Sequence, residues 1–205
     1  MKYEQIRAYA AYWTFAVFAM QLLLIVGSWI LTAFNPALQM RSILGSEGLR
    51  WLFGTFVDNI SSCIVVWIVL CGMSIGVLMK SRLPNAICSY GKTTRYERMA
   101  LFVVFWEIMC IALTIFVLTL VPHAVLLSAL GTIVPSSFSA SIVPVTSLML
   151  CLISLTYGHL TDAYKSVDIA FKAMCSGVGS TAPFVIAYIF TAEFYHSLAW
   201  VLNLE

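Results

Sequence analysis

The run ISSCIVVWIVLCGMSIGVLM, from Ile60 to Met79, contains no charged residue. A helix rises about 1.5 Å per residue, so this stretch reaches across a hydrocarbon core of roughly 30 Å. Comparable apolar segments lie at 12–33, 99–121, 138–158 and 182–203. Hydrophobic residues make up 61% of the 205-residue chain and charged residues only 10%, with a mean hydropathy of +0.96. A soluble domain of this size cannot cover its surface with so few charges. The composition predicts an all-α, polytopic helical membrane protein with about five transmembrane helices. It reads as one membrane domain over 1–205. Within it, residues 1–83 form an N-terminal portion, 84–98 a polar loop and 99–205 a C-terminal portion.

Charge placement predicts orientation. With five spans, Lys2, Arg7, Lys80, Arg82, Lys92, Arg95, Arg98, Lys165 and Lys172 fall on one side, and only Arg41 and Arg50 on the other. Basic residues collect on the cytoplasmic side. The N-terminus, the 84–98 loop and the 159–172 loop are therefore expected in the cytoplasm and the C-terminus outside, in a plasma (inner) membrane. The uncharged run from Ala8 to Met40 is too long for a signal-peptide core and reads as a retained anchor. Nucleic acid is not an expected partner, because the basic residues line the membrane edge without interleaved aromatics. None of the six cysteines falls in an expected external loop, and none forms a Cys-x-x-Cys or Cys/His pattern. No disulfide framework, metal or other cofactor is implied.

Along the chain, Asn35-Pro36 closes the first span. GSEGLRWLFGTF then reads as an interfacial approach, with Trp51 and Phe53 at headgroup depth. Asp58 or Asn59 is placed to cap the next helix. Gly72-x-x-x-Gly76 permits close helix approach, either inside the protein or against a partner. Pro122 ends the third span and HAVLLSALGTIVPSSF makes an external excursion. TDAYKSVDIAFKAM has helical apolar spacing and predicts an interfacial amphipathic helix capped by Thr161 or Asp162. The run CSGVGSTAPF after it reads as flexible; its Gly177-x-Gly179 lacks the lysine and strand of a phosphate loop.

Few residues could carry chemistry. Glu107 lies within a span, where a carboxylate is costly unless neutral, paired or facing water. It is a candidate for ion coupling, or for pairing with Arg98 or a donor on another helix. Glu193 and His196 stand three residues apart on one helical face. They form either a proton-relaying pair or a hydrogen-bonded structural one. An intramembrane enzyme would need more convergent polar groups than this pair supplies, so no catalysis is expected.

Two blocks carry a resemblance. The first is GLRWLFGTFVDNISSCIVVWIVLCGMSIGVLMKSRL, at 48–83. The second, within 121–204, runs through VPHAVLLSALGTIVPSSFSASIVPV, YGHLTDAYKSVDIAFKAM and APFVIAYIFTAEFYHSLAWVLNL. In order and motif these resemble the p-aminobenzoyl-glutamate transporter (AbgT) family. Asn59 has a family counterpart, while Glu193 stands where the family tends to have Gln. The family's hairpin region and second half have no counterpart here, so the resemblance implies a shortened member, and no substrate-contact residue carries over. It also implies a secondary transporter for p-aminobenzoyl-glutamate-type or related aromatic solutes, coupled to Na⁺ or H⁺. Such a chain would work as a homo-oligomer or with a partner membrane subunit. The alternative is a non-transporting structural or accessory subunit. The expected solute or ion pathway residues are Asn59, Glu107, Glu193 and His196.

Overall fold

A computed structural model describes residues 2–35, 40–88, 94–120 and 137–204, leaving out the side chains of 2–3, 118–120 and 137–140. The excursion expected after Pro122 falls outside the described residues as far as Ser136. Every regular element described is helical: α1 (Lys2–Phe34), α2 (Ser46–Ile60), α3 (Cys63–Lys80), α4 (Leu83–Cys88), α5 (Arg95–Leu120), α6 (Ser137–Leu160) and α7 (Val167–Val201). Of these, α1, α3, α5, α6 and α7 are long and apolar enough to cross a membrane.

Three boundaries differ from the sequence expectation, each for a physical reason. The interfacial approach is a full helix, α2. Its Gly48, Trp51, Leu52, Thr55 and Asn59 form the inward stripe, while Glu47, Arg50 and Asp58 are exposed. Asn59 therefore belongs to α2, and Ser62, not Asp58 or Asn59, stands before α3, its Oγ accepting from the Ile64 N–H at 3.3 Å. The amphipathic stretch and the last span are one helix, α7, of 35 residues. At about 1.5 Å per residue it is roughly 50 Å long and overshoots the hydrocarbon. Its first turns carry the exposed Lys172–Asp168 ion pair at 2.6 Å. CSGVGSTAPF stays helical because a backbone in hydrocarbon finds partners only within its own helix. Ser166, rather than Thr161 or Asp162, precedes α7, its Oγ accepting from the Ile169 N–H at 3.4 Å.

Contacts divide the chain into two compact units, one of residues 1–66 with 182–205 and one of residues 67–181. The first unit is centred on Ile43, Trp200 and Val201, with Leu24, Ile25, Trp51 and Leu52 packed against them. Trp51 stacks on Trp200 at 5.2 Å between centroids, and the Arg41 guanidinium lies 5.7 Å from the Trp200 ring centre. Gly48 is required here, since a Cβ would strike the backbone of Ser42 and Ile43. The helix closes with Asn203 at φ 57° and the Leu204 N–H on the Ala199 carbonyl at 3.0 Å, a left-handed cap.

In the second unit, α3 meets the opening turns of α7 through small residues. A Cβ on Gly76 would overlap the backbone of Gly177 and Ala173, and one on Gly72 would overlap Thr181. The Gly72/Gly76 face is thus filled from within the chain rather than offered to a partner. Beside it, the buried Tyr164 donates its hydroxyl to the Val77 carbonyl at 2.6 Å, and its ring occupies the space a Gly158 side chain would need. Leu83, Ala86, Ala100, Val104 and Tyr157 form the other core of this unit. The start of α5 is fixed by a capping box. The Thr94 N–H donates to Glu97 Oε2 at 2.7 Å and the Glu97 N–H to Thr94 Oγ1 at 3.4 Å.

Burial, and secondarily Cys151, holds the Tyr164 hydroxyl above the ordinary tyrosine range. The folded state therefore prefers the neutral phenol. That preference stabilises the fold below the ordinary tyrosine pKa and fades as pH climbs through the raised value. Tyr164→Phe should lower stability by about 1 kcal/mol at neutral pH, and thermal melts of the variant should decline less steeply than wild type at alkaline pH. Gly76→Leu should prevent folding of this unit, whereas the same change at Gly27, where a Cβ meets nothing within 4 Å, should be tolerated.

Candidate functional site: a buried carboxylate on the last helix

In the first unit, α1, α2 and the second half of α7 bring polar side chains together. Glu193, Ser197 and Trp200 recur at i, i+4 and i+7, so one face of α7 carries them all inward. Glu193 is 7% exposed and Ser197 fully buried. From α2, Asn59 Nδ2 donates to Glu193 Oε2 at 3.2 Å. From α1, Gln21, 9% exposed, donates through Nε2 to Ser197 Oγ at 2.8 Å. One turn of α7 separates the two pairs. Toward the N-terminal end of this half of α7, the Tyr188 hydroxyl and Ser62 Oγ share a 2.6 Å hydrogen bond, and Trp13 Nε1 donates to Thr191 Oγ1 at 3.1 Å.

The pairing is incomplete in one direction. Glu193 Oε1 and Gln21 Oε1 are both buried and have no hydrogen-bond partner among the described residues. Both are acceptors. A buried acceptor left unmade costs about 1–3 kcal/mol, so these two, one on α1 and one on α7, each keep capacity for something that donates or carries positive charge. A proton or a hard monovalent cation meets that description, since carboxylate and amide oxygens suit both. Among the described residues no group of three His, Cys, Asp or Glu side chains could hold a metal ion.

The structure sorts the sequence candidates. Asn59 and Glu193 meet directly, and Asn59 acts as a donor to the carboxylate rather than as a helix cap. His196 sits half-buried one turn along α7, its ring edge-on to Tyr195 at 5.4 Å. Glu107 belongs to the second unit, where Thr156 Oγ1 of α6 donates to its Oε1 at 3.2 Å. That donor comes from another helix, and the second carboxylate oxygen has no partner among the described residues. Gln21 and Ser197 were not among the sequence candidates. Their signals were present: Gln21 is the lone amide between Ala8 and Phe34, and Ser197 stands one helical turn after Glu193.

Five helices long and apolar enough to cross a membrane, the last bearing an internally paired carboxylate, define a multi-pass membrane protein. Residues 86–203 match the AbgT transporter family, more than half of the chain, and the protein belongs to that family. Neither a curated protein nor a solved structure matches it. The match includes Glu107, Glu193 and His196 and leaves out the 48–83 block with Asn59, Gly72 and Gly76.

Because Gln21 and Ser197 pair, Gln21→Leu strands the Ser197 hydroxyl and should lower stability by about 1 kcal/mol. Gln21→Leu/Ser197→Ala should recover most of that loss in thermal melts of the detergent-solubilised protein.

Proposed function

We propose that this protein is a secondary transporter of the AbgT type, moving p-aminobenzoyl-glutamate or a related aromatic acid with coupling to Na⁺ or H⁺. In this reading Glu193 carries the coupling charge. The observation that supports it is the Glu193 carboxylate itself, buried within a spanning helix, with one oxygen held by Asn59 and the other unpartnered among the described residues. An ionisable group at that depth is costly unless a cation or proton comes and goes. Binding at broken or proline-bearing helices is a recurrent transporter device, and α7 carries Pro183 within its length. Glu107 is assigned a structural role, because among the described residues its hydrogen-bond donor is Thr156 of the neighbouring helix, without the convergence of three helices seen around Glu193. The basic-residue bias supports an N-terminus in the cytoplasm and, after five crossings, a C-terminus outside the inner membrane.

The test is uptake into proteoliposomes under an imposed Na⁺ or pH gradient. Wild type should accumulate solute only with one of the gradients. Glu193→Gln should abolish that dependence while protein level and melting stay near wild type, and Glu107→Gln should retain most of the flux. Gradient-dependent uptake that survives Glu193→Gln would overturn the assignment. No uptake by wild-type protein under either gradient would favour the accessory-subunit reading. For topology, a periplasm-active reporter fused after the last residue should give signal and a cytosol-active one should not.

A further inference from the structure

Away from the Glu193 face, the first unit holds an elongated groove between α1 and the second half of α7, about 420 Å³ in volume, lined by Arg7, Ala11, Phe15, Phe18, Pro183 and Phe190 among others. Its composition is graded. Arg7 marks one end along α1. Phe18 marks the other, where its ring meets Phe190 edge-on at 5.7 Å. Between them the walls are apolar. The Thr14 hydroxyl in this stretch donates its proton to the Ala10 carbonyl at 2.8 Å and has none left for a phosphate. Arg7 lies three residues inside the Glu4–Phe34 span, where a long basic side chain reaches the headgroup layer. Among the described residues no carboxylate comes within ion-pairing distance of it.

We propose that this groove seats one anionic phospholipid, its phosphate on Arg7 and an acyl chain laid along Ala11, Phe15 and Phe18. Position selects the occupant. Arg7 and Phe18 stand eleven positions apart, a rise of about 16 Å along the helix. The lining between them is apolar, so a hydrocarbon chain laid along it has the positive charge at one end. Charge selects the headgroup. The lining supplies one positive charge and no carboxylate for a cationic headgroup, and a basic pocket between helices at the membrane surface matches an anionic lipid.

The experiment uses the full-length protein, delipidated in detergent and titrated with phosphatidylglycerol or phosphatidylcholine of identical chains, with bound lipid read by native mass spectrometry. Wild type should retain one phosphatidylglycerol with about five-fold preference, the weight of one basic residue at a charged surface. Arg7→Gln, an exposed change, should erase the preference while leaving one chain bound. Ala11→Phe should remove both lipids, and Ile186→Trp, which fills the groove from α7, should do the same if Ala11→Phe fails to fold. Glycerol phosphate without acyl chains should not compete. Equal retention of the two lipids by wild type, retention unchanged in Arg7→Gln, or displacement by glycerol phosphate alone would overturn the proposal. So would a protein dimer that forms through this groove and excludes lipid.

Discussion

Hydrocarbon offers no hydrogen-bond partner, and that constraint organises the chain at every level. It makes the backbone helical throughout the described spans, including stretches whose glycines and prolines would break a helix in water. It also obliges each polar side chain within a span to find a partner from the protein. Thr14, Thr32, Thr114, Thr146 and Thr191 satisfy their hydroxyls on the carbonyl one turn back. Gln21, Asn59, Glu193 and Ser197 instead meet in two pairs contributed by three helices. Buried oxygens without a partner among the described residues also occur on Ser42, Glu107 and Ser154, but those on Gln21 and Glu193 belong to this cluster. The functional reading rests on them.

A second consequence concerns packing. Lipid tails are as apolar as leucine, so helices in a membrane gain little from burying apolar faces against each other. Close backbone approach supplies attraction instead. In the second unit, Gly72 and Gly76 against Gly177 and Thr181 provide that approach, and the Tyr164 hydroxyl on the Val77 carbonyl ties the 161–166 connection to α3. In the first unit the aromatic stack of Trp51 on Trp200, with Arg41 over the same ring, holds α2 to the end of α7.

Much of the fold is legible in the sequence because apolar length is a strong signal. The segments at 12–33, 60–79, 99–121 and 138–158 fall within or nearly within α1, α3, α5 and α6. Helix ends are harder to read. Hydropathy does not distinguish a surface helix from the exposed start of a longer span, so residues 161–174 look separate from 182–203. The inward stripe of α2 is hidden by its tryptophan and phenylalanine, which suit an interface equally well. The Thr94-x-x-Glu97 capping box has a readable spacing, but it sits in a polar loop where neither residue stands out. At the site, Glu193 stands out because a charge in a span is rare. Its donor Asn59 lies 134 residues away, a separation that local pattern cannot bridge. Gln21 and Ser197 are uncharged, and only the meeting of α1 with α7 shows that they belong together.

Asn59 and Glu193 should act as one unit in ion-driven transport, and on that coupling the functional assignment turns. A double-mutant cycle over Asn59→Ala and Glu193→Gln, read as gradient-driven uptake, tests it most directly. Strong non-additivity is expected, with the double variant no worse than Glu193→Gln alone. Independent, multiplicative losses from the two changes would contradict it.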